Sequence, residues 1–278
     1  MITVEQLAPH IADAAWCVVD CRHDLADFAA GVAAFKDAHV PGAVFARIED
    51  DLSGAKSGRN GRHPLPARDC LAGTFRRWGI NDDSQIVAYD AHGGSYAARL
   101  WWLARWLGHE RVAVLDGGWQ AWRAGANPSE SGSGAQRAPG QFSVRAPLVA
   151  VAAANDVQAA AQNGRALIDA RAPARYRGET EPIDPVAGHI PGARNRFWQD
   201  NLIDGRFKSA RQLCAEFTAL AAGDDPAALV HYCGSGVTAA HNVLAMYVAA
   251  MPGSALYAGS WSEWIADPAH GVRTGASA

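Results

Sequence analysis

Cys233 ends the apolar run Ala228-Leu229-Val230-His231-Tyr232 and is followed by Gly234-Ser235-Gly236-Val237-Thr238 and then Ala239-Ala240. The run reads as a buried strand, and the small, glycine-containing stretch as a turn that opens into a helix. A cysteine at such a mouth lies near the positive end of the helix dipole and under unpaired backbone N–H groups. Both favour thiolate over thiol. The chemistry this offers is nucleophilic, covalent catalysis. A merely buried cysteine needs no glycines and no hydroxyl directly after its strand. Cys17, Cys21, Cys70 and Cys214 have no such loop and read as unreactive thiols.

The elements that must hold this loop are written twice. Val18-Val19-Asp20-Cys21-Arg22 and His39-Val40-Pro41-Gly42-Ala43 return as Leu167-Ile168-Asp169-Ala170-Arg171 and His189-Ile190-Pro191-Gly192-Ala193. Ile86-Val87-Ala88-Tyr89-Asp90 corresponds to Leu229-Val230-His231-Tyr232-Cys233, and Gly117-Gly118-Trp119-Gln120-Ala121-Trp122 to Gly259-Ser260-Trp261-Ser262-Glu263-Trp264. A period of about half the chain is too long for a solenoid and indicates two homologous globular domains. They differ at the chemistry: Asp90, followed by Ala91-His92-Gly93-Gly94-Ser95, stands where the second copy has Cys233.

In each copy short β-branched runs (17–20, 85–89 and 112–115; 166–169, 227–232 and 255–257) alternate with helical stretches such as 96–107 and 238–250. This alternation predicts an α/β fold, each domain a mainly parallel sheet flanked by helices. Ligands collect at the carboxyl ends of strands in such sheets, which is where Cys233 falls. The Gly-, Ser- and Pro-rich residues after 123 read as a linker.

The 278 residues are 49% hydrophobic and 19% charged, enough for two cores. A formal net charge of −3 argues against a nucleic-acid surface. No stretch approaches the roughly 18 apolar residues of a membrane span, and the start shows no apolar signal region, so the expectation is a cytoplasmic protein without membrane contact. Five cysteines without C-x-x-C spacing disfavour a disulfide framework or a structural zinc site. No metal or cofactor is expected.

These duplicated motifs, in this order, resemble the tandem-domain sulfurtransferases of the rhodanese family over nearly the whole chain. The resemblance implies a rhodanese-like domain lacking the catalytic cysteine at 1–123, a linker at 124–144 and a catalytic rhodanese-like domain at 145–278. It also implies that Cys233 takes a sulfane sulfur as a persulfide and passes it to a thiol, a thioredoxin-like protein or cyanide. The loop Cys233-Gly234-Ser235-Gly236-Val237-Thr238 is similar to that of the branch using 3-mercaptopyruvate, whereas the thiosulfate branch carries Cys-Arg-Lys-Gly-Val-Thr. A neutral loop suits a singly charged donor, and Arg and Lys suit a compact dianion. The backbone of Gly234, Gly236, Val237 and Thr238 would then bind anionic sulfur.

The family resemblance further places two arginines after the second domain's first strand to hold the donor's carboxylate. Arg175 matches the first. The second position falls at Ile183 or Asp184, as in the thiosulfate branch, leaving Arg177, Arg194 or Arg196 to compensate, or to be plain surface arginines. A Ser-His-Asp relay carried over from the family maps to Ser235, His63 and Asp50, which would draw the site together from both domains. Asp20 and Asp169 are expected to organise structure near the site. Trp101, Trp102 and Trp106 are expected in the core, and Trp261 and Trp264 either in the core or walling a cleft.

Rival readings meet obstacles in the residues. Gly234-Ser235-Gly236-Val237-Thr238-Ala239 formally fits a dinucleotide fingerprint, but it lies late in its domain and the next strand ends without the ribose-binding acid. Cysteine phosphatases close the corresponding loop with an arginine, where this chain has Ala239 and Ala240. A thiosulfate sulfurtransferase and a non-catalytic sulfur-carrier or interaction module remain as alternatives.

Overall fold

The computed structural model describes residues 1–24, 27–163 and 166–276. Contacts divide the chain into two units, Met1–Ser53 with Pro66–Leu148, and Gly54–Leu65 with Val149–Ala278. Both are α/β.

Unit 1 contains β1 (Trp16–Asp20), β2 (Val44–Phe45), β3 (Gln85–Tyr89) and β4 (Val112–Val114), parallel and in the order β2-β1-β3-β4. Its helices are α1 (Val4–Leu7), α2 (Phe28–Asp37), α3 (Arg68–Arg77), α4 (Ala97–Trp106) and α5 (Gly118–Ala124). β1 and β3 are buried almost throughout, as strands covered on both faces must be. α4 is apolar around nearly its whole girth and correspondingly buried; Trp101 and Trp102 are core residues.

Unit 2 contains β5 (Ala150–Val151), β6 (Leu167–Asp169), β7 (Ala193–Asn195), β10 (Val230–Tyr232) and β11 (Ala255–Leu256), parallel and in the order β5-β11-β10-β6-β7. A small antiparallel hairpin, β8 (Leu202–Ile203) with β9 (Arg206–Phe207), is separate. The helices are α6 (Ala154–Asn163), α7 (Pro173–Tyr176), α8 (Ala210–Ala221), α9 (Ala239–Val248) and α10 (Ser260–Trp264). Ser209 and Gln212 form a capping box that starts α8. The two sheets have one plan: β7-β6-β10-β11 repeats β2-β1-β3-β4, and the parallel bridge Ile2–Leu115 lies beside β4 as β5 lies beside β11.

Two expectations are revised. The Gly/Ser/Pro stretch at 124–144 belongs to unit 1: Glu130 and His39 exchange backbone hydrogen bonds of 2.9 and 2.8 Å, and the Gly140 N–H donates to the Arg76 carbonyl at 2.8 Å. The expected strand 227–232 begins only at Val230, because Pro226 and the Asp225 carboxylate, which accepts the Ala227 N–H at 2.9 Å, set a 3₁₀ turn over Pro226–Ala228.

The repeated motifs meet in space within each unit. The Asp169 carboxylate accepts Arg171 Nη2 at 2.6 Å, and the same nitrogen donates to the Gly188 carbonyl at 2.6 Å. The Arg171 guanidinium lies 4.6 Å over the Trp261 ring, and the Tyr232 hydroxyl accepts the Ile190 N–H at 3.2 Å. Asp20, Arg22, the Ala38 carbonyl, Trp119, Tyr89 and Val40 repeat every contact in unit 1. This buried, charge-neutral lock ties the first strand, the His-x-Pro-Gly turn and the Gly-x-Trp helix together behind the site.

Candidate active site

Cys233 follows β10 directly, and the loop 234–238 leads into α9, whose residues 239–246 are all buried. The Cys233 side chain is itself buried, and the Gly236 N–H donates to its Sγ at 3.1 Å. Gly236 adopts φ +76°, and a Cβ there would lie 2.2 Å from the Ala258 carbonyl oxygen, so only glycine fits on both counts. Gly234 needs no special dihedral. Its Cα faces two guanidiniums: a Cβ would stand 2.8 Å from Arg62 Nη2, and 3.5 and 3.7 Å from Arg175 Nη2 and Nη1. Val237 is buried and Thr238 half-buried ahead of the first turn of α9.

The beginning of α10 grips the loop from behind. Ser260 Oγ accepts the Cys233 N–H at 3.0 Å and donates to the Tyr257 carbonyl at 2.9 Å. The N–H groups of Trp261 and Ser262 donate to the carbonyls of Cys233 and Gly234, each at 3.0 Å. Ser260 holds φ +55°, a left-handed conformation that the matching Gly118 (φ +52°) adopts without a side chain. Trp261 and Trp264 are core residues rather than cleft walls.

The segment Gly54–Leu65 packs with unit 2. Gly61, at φ +81°, passes close to the Gly259 carbonyl, and the Arg62 N–H donates to Ser262 Oγ at 3.0 Å. This places His63, only 4% exposed, with Nδ1 2.8 Å from Ser235 Oγ. Two of the three expected relay members therefore meet. Asp50 lies in unit 1 with an exposed carboxylate 3.7 Å from Arg47.

Arg175 is partly buried and donates from Nη2 and Nε to the Glu181 carboxylate at 2.7 and 3.1 Å, and from Nη2 to Asp184 at 3.2 Å. Asp184 also pairs with Arg62. Burial pushes the Glu181 carboxyl up, but Arg175 and the amides of Asp184 and Ile183 outweigh it and hold the group below its usual range. At Asp184 burial prevails over the pull of Arg62, and the carboxyl is raised. The other candidate arginines are engaged elsewhere: Arg177 with exposed Glu179, Arg194 with Asp224 and the carbonyls of Leu220 and Ala221, and Arg196 with Asn201 and Glu216. Arg62, one residue before His63, and Ser260, a serine where the first copy has glycine, are the loop neighbours that the motif comparison passed over.

In unit 1 the same loop carries its own anion. The Asp90 carboxylate accepts the N–H groups of His92, Gly94, Tyr96 and Ala97 at 2.8 to 2.9 Å, where the other copy has the Cys233 sulfur and the Gly236 amide. Burial raises the thiol of Cys17 to about 11, and burial together with Asp90 and Asp20 raises that of Cys21. Among the described residues no cluster of three or more His, Cys, Asp or Glu side chains could hold a metal ion, and no helix is long and apolar enough to cross a membrane.

The rhodanese-like domain model matches residues 3–125 and again 153–267. A probable 3-mercaptopyruvate sulfurtransferase of Pseudomonas aeruginosa is 47% identical over 99% of this chain and 98% of its own. A putative thiosulfate sulfurtransferase, SseB, of Mycobacterium tuberculosis is 39% identical over 99% and 97%. The crystal structure of the Escherichia coli 3-mercaptopyruvate sulfurtransferase SseA superposes with a TM-score of 0.81 at 33% identity, covering 94% of this chain and 98% of that one. With its duplicated sheet, its single cysteine loop and these relatives, the chain belongs to the rhodanese family of sulfurtransferases, as a tandem-domain member.

Proposed function

We propose that the protein moves sulfane sulfur from 3-mercaptopyruvate, through a persulfide on Cys233, to a thiol, a thioredoxin-like protein or cyanide. The observation that carries this reading is a buried cysteine in a loop with no charged side chain of its own, receiving the Gly236 amide, with the Arg175 guanidinium beside Gly234. The Cys233 thiolate attacks the donor sulfur. A sulfur–sulfur bond forms, the carbon–sulfur bond breaks, and its electron pair leaves on pyruvate enolate, which takes up a proton to become pyruvate. Ser235 and His63 are positioned to carry the proton released from the donor thiol, the hydroxyl and ring nitrogen forming one short path. An acceptor thiolate or cyanide then attacks the outer sulfur and returns Cys233 to the thiolate.

Backbone amides stabilise anionic sulfur in both states and cost no reorganisation during the reaction. Arg175, oriented through Nε and Nη2 by Glu181 and Asp184, offers Nη1 to the donor's carboxylate. A thiosulfate donor would follow the same course with sulfite leaving; the lack of an arginine at the second expected position, Ile183 or Asp184, is the feature that favours it. Turnover of both donors measured side by side separates the readings: higher kcat/KM for 3-mercaptopyruvate supports the proposal, and higher kcat/KM for thiosulfate overturns it.

A further inference from the structure

Arg62 reaches the catalytic loop from outside the segment that carries Arg175. Its Nη2 and both terminal nitrogens of Arg175 converge on the space above Gly234 Cα, within 2.8 to 3.7 Å of a single point. Asp184 bridges the two guanidiniums. Both arginines keep an accessible face, the Arg62 side chain 30% and Arg175 17% exposed, while Asp184 and Glu181 are 4% exposed. The backbone of Arg62 is pinned by Ser262 and by the close passage of Gly61. The guanidinium is therefore delivered to a fixed place.

We propose that Arg62 is the second donor-binding guanidinium of this site, and that Asp184 sets its selectivity by joining it to Arg175 in a cluster without net charge. This rests on the sulfurtransferase reading above. Arg62, Arg171 and Arg175 are balanced by Asp169, Glu181 and Asp184. A donor carboxylate can share the open N–H groups of both arginines as directed hydrogen bonds. A compact dianion gains the same hydrogen bonds but meets no net positive field, and its stronger hydration opposes entry. Charge balance in this cluster thus favours monoanionic donors over thiosulfate. A side chain at residue 234 would enter the space where the two arginines meet. Installing the Arg of the thiosulfate branch at 234 would bring a third guanidinium against these two.

The test uses the full-length protein and follows persulfide loading of Cys233 by rapid mixing with 3-mercaptopyruvate or thiosulfate, and discharge to cyanide from preloaded enzyme. Arg62→Gln should slow mercaptopyruvate loading ten- to a hundredfold at subsaturating donor, as expected for losing a charge-assisted contact, and leave discharge within about twofold. Arg62→Lys should recover part of the loss. Asp184→Asn should raise thiosulfate loading relative to mercaptopyruvate about tenfold at low salt, the gain shrinking as ionic strength rises. Unchanged donor ratio in Asp184→Asn, or equal losses of loading and discharge in Arg62→Gln, would overturn the inference while leaving the sulfurtransferase reading intact. Failure of the unaltered protein to load from either donor would overturn both.

Discussion

His63 Nδ1 lies 2.8 Å from Ser235 Oγ, although the two residues are 172 positions apart in the chain. The segment that brings His63 there leaves the first repeat's sequence to join unit 2, so the Cys233 loop receives a titratable group that its own repeat does not encode. If this pair moves the donor's proton, Ser235→Ala and His63→Gln should each lower kcat with 3-mercaptopyruvate by about a hundredfold or more. The double variant should be hardly worse than either, because the residues act as one path. Additive losses would contradict a shared role. Asp50→Asn tests the third relay member; its carboxylate is exposed and paired with Arg47, and a loss of no more than about threefold is expected.

Arg175 should act mainly on donor binding. Arg175→Ala is expected to lower kcat/KM for 3-mercaptopyruvate ten- to a hundredfold, and Arg175→Lys to restore only part, since an ammonium cannot reproduce the fork that meets Glu181. Discharge of preloaded persulfide to cyanide, which has no carboxylate, should change little. Equal losses in both half-reactions would make Arg175 a support for the loop instead.

Ser260 provides a backbone test with an inverted order. At φ +55° any side chain is strained, yet its hydroxyl accepts the buried Cys233 N–H. Ser260→Ala keeps the strain and strands that N–H, which should cost about 1–3 kcal/mol. Ser260→Gly also loses the bond but relieves the strain, and should melt at a higher temperature than the alanine variant. The usual order, alanine above glycine, would contradict this account.

His231 makes the fold acid-sensitive. Full burial pushes its pKa from 6.5 down to about 3; Nε2 faces Met246 Sδ and Nδ1 has no hydrogen-bond partner. Between those values the unfolded chain binds a proton that the folded one refuses. Stability is fully retained above pH 6.5 and falls as pH drops through this window, by roughly 1.4 kcal/mol per unit from this group. His231→Leu should therefore lose less melting temperature than the unaltered protein between pH 7.5 and pH 5. An identical loss in both would show that other groups govern acid unfolding.

Much of this architecture is legible in the sequence because the repeats write it twice. Asp-x-Arg, His-x-Pro-Gly-Ala and Gly-x-Trp recur in order because each pair forms one buried lock, and β10 with its glycine-bearing turn announces Cys233 through hydrophobicity and turn chemistry alone. The linker reading did not anticipate that residues 124–144 line unit 1, since polar, glycine-rich backbone can be held by hydrogen bonds without any periodic pattern. Arg62 and Asp184 were illegible as a pair: 122 residues separate them, and a lone arginine beside a histidine has no pattern that distinguishes it from a solvated surface charge. The charge balance over Gly234 exists only once the segment 54–65 has left the unit that its neighbours in sequence build.

In the proposed mechanism Cys233 alone carries the transferred sulfur. The most direct measurement is the mass of the intact protein after brief incubation with 3-mercaptopyruvate and removal of excess donor, followed by peptide mapping. The account predicts one added sulfur atom, located on Cys233, removed by cyanide and absent from Cys233→Ser, with Cys17→Ala, Cys21→Ala, Cys70→Ser and Cys214→Ser still loading. Addition of sulfur to Cys233→Ser, or turnover of the unaltered protein without any sulfur on Cys233, would contradict it.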